Sequence, residues 1–234
     1  MKTVKNGNSK VLHMKNYIVC AIVIVLSCTF SIFLSACKKN IDYFAYISEL
    51  RNNIFLAQTD EFSLRIYSVT KEHPYVADGI PKETSARTEI YLTLPSGDKT
   101  CNLTFTINNQ EYGGEMSYDN IKMEYYYSCT LDTSALSSID CHLTYGDSVA
   151  DITAISVLKK DTLAPSAILQ ILQTEETDLF KNMTDKYGFT GEIYLRLIYE
   201  EAPYYYVGII NREGGIHAFL INAQSGKILA RRQS

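Results

Sequence analysis

The sequence predicts an α+β protein: an antiparallel β-sandwich of immunoglobulin-like architecture, followed by a small unit of one helix and an antiparallel meander. Short segments of alternating apolar residues, separated by turn signals, recur over about residues 50–160. One helical stretch follows, and then three more alternating segments. The expected organisation is an N-terminal segment at 1–36, a tether at 37–49, the sandwich at 50–160 and the α+β domain at 161–234.

Composition and charge narrow the function classes. The 234 residues are 46% apolar and 21% charged, which predicts a packed core, and the 18 Tyr favour strands. The first 36 residues carry four Lys and no acid, so the remainder has 18 Lys+Arg against 26 Asp+Glu. An acidic body of this kind offers no electrostatic footprint for nucleic acid, and we expect no nucleic-acid partner.

The N-terminus has the pattern of a secretory segment. An uncharged apolar run lies between Lys15 and Lys38, after a basic start, and translation could begin at Met1 or at Met14. The run is also long enough to span a bilayer, so an uncleaved anchor or ordinary secretion are the alternatives. In each of these interpretations the body lies outside the cytoplasm.

The end of the apolar run reads Leu34-Ser35-Ala36-Cys37, which resembles the bacterial lipobox. The resemblance implies that the Cys37 thiol receives a diacylglyceryl group and that a peptidase cuts the chain before it. Residues 1–36 are then a lipoprotein signal peptide, and residues 37–49 are a lipidated tether. It therefore implies a protein held by lipid on the extracytoplasmic face of the cell membrane. Two or three acyl chains give firm attachment, whereas one is marginal.

The first strands of the expected sandwich form a hairpin. Apolar residues alternate at Ile54 and Leu56 and again at Leu64 and Ile66, with a turn at 59–61 between them. A loop with two Pro and a Gly follows over about 71–86. Further strands are expected at 90–94, 101–107, 123–131, 139–145 and 149–158, with a short one near 113–117.

The helix should begin at Pro165, which suits a first helical position, and end at Gly188. Apolar residues share one face, but acids at 175–176 interrupt it, so Thr174 could cap a second helical piece. Strands are then expected at 193–199, 204–210, 216–222 and 227–231.

The last strand follows the motif Asn222-Ala223-Gln224-Ser225-Gly226-Lys227-Ile228-Leu229, and the stretch 163–232 resembles the PepSY module. Asn222 stands where that family usually has Asp, and Ser225 where it usually has Thr. The resemblance implies a helix-and-meander fold that binds and restrains extracellular peptidases. It carries no universal catalytic residue.

Catalytic and metal-binding patterns are not found in the sequence. His73, His142 and His217 do not lie at metal-ligand spacing, and no serine-nucleophile motif occurs. Cys141 and His142 are adjacent, and on a strand adjacent side chains point to opposite faces. We therefore expect no enzyme activity, no metal and no cofactor.

Three cysteines, Cys101, Cys129 and Cys141, fall on the apolar faces of predicted strands. One disulfide with one free thiol, or three buried thiols, both suit an extracytoplasmic protein. If a bridge forms, the short connection favours Cys129–Cys141.

Two tyrosine clusters, 125–127 and 204–206, place at least one ring each on an outer strand face. They reflect either strand propensity alone or a contact surface for a peptide or glycan, at Tyr126, Tyr204, Tyr205 and Tyr206.

The sequence thus predicts a non-enzymatic, membrane-anchored lipoprotein that binds an extracellular protein or peptide, with restraint of an extracellular peptidase as one role. The alternative is a structural or adhesion component of the envelope that works through the sandwich. A third hypothesis is a hydrolase without recognisable motifs.

Overall fold

The computed structural model describes residues 41–95, 97 and 99–234, in which thirteen strands, two α-helices and one 3-10 helix form. The predicted signal peptide and Cys37 lie outside the described residues. The strands are β1 (Ile47–Gln58), β2 (Ser63–Lys71), β3 (Ser85–Thr93), β4 (Cys101–Ile107), β5 (Gln110–Glu115), β6 (Ser117–Asp119), β7 (Glu124–Cys129), β8 (Ser138–Tyr145), β9 (Ser148–Ser156), β10 (Gly191–Tyr199), β11 (Pro203–Asn211), β12 (Ile216–Asn222) and β13 (Ile228–Gln233). The helices are α1 (Pro165–Glu175) and α2 (Thr177–Asn182), and the 3-10 helix is Tyr43–Tyr46.

Strand β1 is the centre of the architecture because it has three partners. Along one side it forms an antiparallel hairpin with β2, closed by a turn in which the Thr59 hydroxyl accepts from the backbone N–H groups of Glu61 and Phe62. On its other side, the first half pairs in parallel with β10 and the second half pairs antiparallel with β9. The strand therefore joins the C-terminal strands to the rest of the sheet.

The strands around the second half of β1 form a nearly closed, barrel-like sheet. In one direction the order runs β1-β2-β3-β7-β6, and in the other it runs β1-β9-β8-β4-β5. The two orders end at β6 and at β5, and only Met116 separates these two strands in the chain. Inside lies a core of apolar side chains at alternate positions. Its members include Phe55, Leu64, Ile66, Ile90, Leu92, Leu103, Tyr125 and Leu143.

The C-terminal strands carry the helices. Strands β10 to β13 form an antiparallel meander, and α1 buries Ile168, Leu169 and Leu172. The hydroxyl of Tyr205 on β11 donates to the carbonyl oxygen of Leu163, just before α1, at 3.0 Å. This contact places α1 on the Tyr205 face of the meander.

A loop at 72–84 lies against β10, on the face of the meander opposite to Tyr205. The hydroxyl of Tyr75 donates to Oε1 of the buried Glu192 at 3.2 Å, and the backbone N–H of Lys82 donates to Oε1 of the buried Glu72. The remaining carboxylate oxygen of each Glu has no hydrogen-bond partner in the described part of the chain. Burial raises the pKa of Glu192, and the charge of Glu72 adds to this rise.

The predicted fold class is wrong. Strand content is high and helical content low, and the strands curl into one barrel-like sheet instead of packing as two faces of a sandwich. The helix-and-meander segment is not a separate PepSY-like fold after a sandwich, because β10 pairs directly with β1. Residues 42–234 form one compact unit. The prediction failed because β1 pairs with β10, which is distant in the chain, and the local alternation of apolar residues does not reveal this pairing.

Candidate functional site

A row of aromatic rings crosses the sheet on the face opposite the barrel core. Tyr67 on β2, Tyr91 on β3 and Tyr126 on β7 are half-buried. The ring centroids of Tyr67 and Tyr91 lie 5.3 Å apart, and those of Tyr91 and Tyr126 lie 5.1 Å apart. At one end, the Arg51 guanidinium lies 4.1 Å from the Tyr67 ring centroid. We call these three tyrosines the tyrosine strip.

The strip forms because tyrosines alternate with core residues along each strand. Tyr67 follows the buried Ile66, and Tyr91 lies between the buried Ile90 and Leu92. Since adjacent side chains on a strand point to opposite faces, the tyrosines point away from the core. Tyr91 and Tyr126 are also directly paired across β3 and β7. The core pattern thus dictates that the rings share the outer face.

A cleft of about 320 Å³ adjoins the strip. We call it the strip cleft. Its lining consists of Lys71, Glu89, Tyr91, Ser117, Tyr118, Asp119, Lys122, Glu124 and Tyr126. This volume lies at the small end of the range of about 300–1,000 Å³ that is usual for ligand sites. The cleft therefore suits one or two side chains better than a large cofactor.

Charges in the strip cleft are internally balanced. Lys71 forms an ion pair with Glu89, and Glu124 forms one with Arg65. The Nζ atom of Lys122 lies 3.8 Å from Oδ2 of Asp119. The cleft therefore presents no concentrated charge of one sign to a ligand.

Tyr91 is a donor in this cleft rather than a base. Its hydroxyl donates to Oε2 of Glu89 at 3.3 Å. Burial raises the pKa of Tyr91 well above its usual value, and the nearby Glu89 charge adds to the rise. The phenol therefore stays protonated at physiological pH.

An exposed apolar turn borders the cleft between β6 and β7. Ile121 is 91% exposed and Met123 is 64% exposed. Met123 has a left-handed backbone, with φ of 57°, which is costly for a residue other than glycine. The turn is fixed because Oδ1 of Asp119 accepts from the N–H groups of Ile121 and Lys122, at 3.0 and 3.1 Å. Apolar side chains held outward in this way offer a contact surface.

The residues predicted from the tyrosine clusters separate in the structure. Tyr126 belongs to the strip, whereas Tyr204, Tyr205 and Tyr206 lie on β11, which does not pair with β7. The prediction that Tyr205 is a contact residue is wrong. Its side chain is 1% exposed, and its hydroxyl donates to the carbonyl oxygen of Leu163 on the helix side. Burial raises the pKa of Tyr205 to about 12.

Tyr204 and Tyr206 are half-buried on the opposite face of β11. The ring centroid of Tyr206 lies 5.7 Å from that of Tyr194. Sequence reasoning missed Tyr67, Tyr91, Ile121 and Met123. Tyr67 and Tyr91 could have been found from the sequence, because they alternate with core residues along their strands.

The expected Cys129–Cys141 bridge is not formed, since Cys101, Cys129 and Cys141 are free thiols in the structure. Cys129 ends β7, which pairs with β3 and β6, whereas Cys141 lies on β8 between β4 and β9. The two are therefore not cross-strand neighbours. Burial raises the pKa of each thiol, that of Cys141 to about 12, so none is an activated nucleophile.

A second concavity, of about 630 Å³, lies on the outer face of β4, β8 and β9. There Nδ1 of His142 lies 2.7 Å from Oδ1 of Asp151, and the Thr153 hydroxyl donates to Asp140. Cys141 points into the core on the opposite face, as the alternation predicts. The described residues contain no group of three or more His, Cys, Asp or Glu able to hold a metal ion.

The chain matches no known protein family, curated protein or solved structure. Within residues 41–95, 97 and 99–234, no helix has the length and apolar character needed to cross a membrane.

Proposed function

We propose that this protein is a non-enzymatic lipoprotein, held through Cys37 on the extracytoplasmic face of the bacterial membrane, that binds an extended protein segment. The tyrosine strip and the strip cleft form the binding site. The observation that carries this proposal is the strip itself: three half-buried rings in contact, beside a cleft and an exposed apolar turn.

The chemistry of the lining favours a protein segment. Tyrosine rings provide large contact area at low entropic cost and are enriched where proteins bind one another. Each cation of the cleft has an acidic partner, so a phosphate or another strongly charged small ligand finds no free counter-charge. Ile121 and Met123 add exposed apolar area that a partner would cover.

The strand order favours an extended segment. Among the described strands, β6 is at the end of its sheet order and pairs with β7 alone. Its side chains Ser117 and Asp119 line the cleft. An extended segment that pairs with the free edge of β6 would direct alternate side chains toward the cleft, as in β-strand addition. An extracellular peptidase is one partner that could present such a segment.

A displayed library of random dodecapeptides tests the binding site. We expect selected peptides to bind the wild-type protein and to lose at least about tenfold in affinity with Tyr91→Ala, as removal of one central aromatic contact does. Ile121→Glu should also weaken binding, and its 91% exposed side chain makes no contribution to the core. Tyr187→Ala, at an exposed tyrosine outside the strip and the cleft, is the control and should leave binding unchanged.

Thermal unfolding of each variant separates lost binding from lost folding. Failure to select any peptide above background would contradict the proposal. Equal affinity of wild type, Tyr91→Ala and Ile121→Glu for the selected peptides would contradict it as well.

Palmitate labelling in cells tests the anchor separately. Wild type should incorporate label, and Cys37→Ser should lose the label and accumulate as the uncleaved precursor. Substitution of Cys129→Ser is the control and should keep the label. Labelling that persists in Cys37→Ser would overturn the lipid anchor and leave the peptide site untouched.

A further inference from the structure

We propose that the body of the protein docks on the lipid surface through the exposed side chains Phe44, Lys186 and Tyr187 at one end of the body, which we call the docking patch. This proposal rests on the lipid anchor at Cys37 proposed above. It assigns a second interaction surface, distinct from the tyrosine strip, with the membrane itself as the partner.

The anchor lies a short distance along the chain from the folded body. Four residues, 38–41, separate Cys37 from Asp42, where the compact unit begins. Five residue steps span at most about 18 Å even when fully extended. A cysteine held in lipid therefore keeps the part of the body near Asp42 close to the headgroups.

The first residues of the body are packed and do not extend the tether. The Tyr43 ring meets the rings of Phe180 and Phe189 edge-on, with centroid distances of 4.8 and 5.3 Å. The Tyr46 hydroxyl accepts from the backbone N–H of Phe189 at 3.3 Å. The 3-10 helix is thereby fixed against the turn between α2 and β10, and that turn shares the membrane-proximal end of the body.

The turn between α2 and β10 is closed by its own hydrogen bonds. Thr184 and Phe189 pair as an isolated bridge, and Oδ1 of Asp185 accepts from the N–H groups of Tyr187 and Gly188, at 2.7 and 3.1 Å. Gly188 fits because a Cβ there would lie 2.5 Å from the Tyr46 hydroxyl oxygen. The turn is closed at its base, so its tip is presented outward.

The side chains at this end have the chemistry of a membrane interface. Tyr187 is 78% exposed and Phe44 is 41% exposed, and Nζ of Lys186 lies 4.8 Å from the Tyr187 ring centroid. Aromatic rings favour the headgroup region, and lysines reach the lipid phosphates. The neighbouring acids Asp42 and Asp185 direct carboxylate oxygens to backbone N–H groups of Phe44 and of the turn.

The test uses the full, lipidated chain and exploits its lack of tryptophan. Tyr187→Trp and Ile121→Trp each introduce one fluorophore at an exposed site. Each protein is reconstituted in vesicles of phosphatidylcholine and phosphatidylglycerol, with and without brominated phosphatidylcholine. We expect brominated lipid to quench the Tyr187→Trp variant strongly and the Ile121→Trp variant little. Lys186→Glu, added to Tyr187→Trp, should reduce the quenching.

Flotation of the vesicles distinguishes the two ways in which this proposal can fail. If both tryptophan variants float with the vesicles but are quenched equally, the docking patch is wrong and the anchor stands. If neither variant floats, the anchor is wrong and the docking proposal falls with it.

Discussion

Arg196 on β10 donates from Nε to Oε1 of Glu49 on β1 at 2.8 Å, and a second hydrogen bond joins its Nη2 to Oε2. The two residues are 147 positions apart in the chain. Their ion pair lies at the parallel pairing of β1 with β10, where the C-terminal meander joins the rest of the sheet. Glu49 is buried, so the pair is one of the interactions that hold these two parts of the chain together.

We expect Glu49→Ala to lower the free energy of unfolding by about 3 kcal/mol, because it leaves a half-buried guanidinium without its partner. The control is Arg231→Ala, which breaks the exposed Arg231–Glu176 pair and should cost less than about 1 kcal/mol. Urea unfolding followed by circular dichroism measures both. Equal losses for the two variants would show that the Glu49 pair has no special role at the junction.

A chain that ends after Lys160 should not fold stably. It lacks β10 to β13, so the first half of β1 loses its parallel partner and Glu49 loses Arg196. We expect no cooperative urea transition for this truncated protein, whereas the full chain should unfold in one. A truncated protein with native-like cooperative unfolding would restore the idea of an independent N-terminal domain.

Glu192 should make stability depend on pH. Its pKa in the folded protein is raised above the usual 4.5 by burial. A carboxyl whose folded pKa is raised stabilises the fold fully below its unfolded pKa and loses that contribution as pH rises through the folded value. We expect Glu192→Gln to become more stable relative to wild type as pH rises above 4.5. Urea titrations at several pH values measure this, with the exposed Glu201→Gln as control. A constant difference across pH would refute this assignment.

The three thiols of the folded body should be free and protected. Mass spectrometry without reduction should find no bridge among Cys101, Cys129 and Cys141, since all three are free thiols. Cys101 and Cys141 are buried, so a thiol reagent should label them only after unfolding. Cys129 is half-buried and should react before the other two. Recovery of a Cys129–Cys141 peptide from the native protein would contradict the structure.

Local sequence signals predicted many of the elements. The β1–β2 hairpin and its turn at residues 59–61 are confirmed, and so is a helix that begins at Pro165. The expected break in the helix is also confirmed, since α1 ends at Glu175 and α2 begins at Thr177. These features depend on residues close in sequence, such as a proline at a first helical position.

The arrangement of the strands could not be predicted in the same way. Alternation in β1 shows which residues face the core, but it does not show that one half pairs with β10 and the other with β9. Of the tyrosine strip only Tyr126 was predicted, because Tyr67, Tyr91 and Tyr126 come together only through the registers of β2, β3 and β7. The predicted contact residues at 204–206 include Tyr205, which is buried and whose hydroxyl donates to the carbonyl oxygen of Leu163.

Hydrogen exchange in the presence of a library-selected peptide decides where the proposed segment binds, because it locates that segment on the protein. We expect slower exchange over β6 and the following turn, residues 117–123, where an added strand pairs with the free edge and covers Ile121 and Met123. Residues on the outer face of β4, β8 and β9 should exchange at unchanged rates. Protection confined to that polar face, with none at 117–123, would contradict the account.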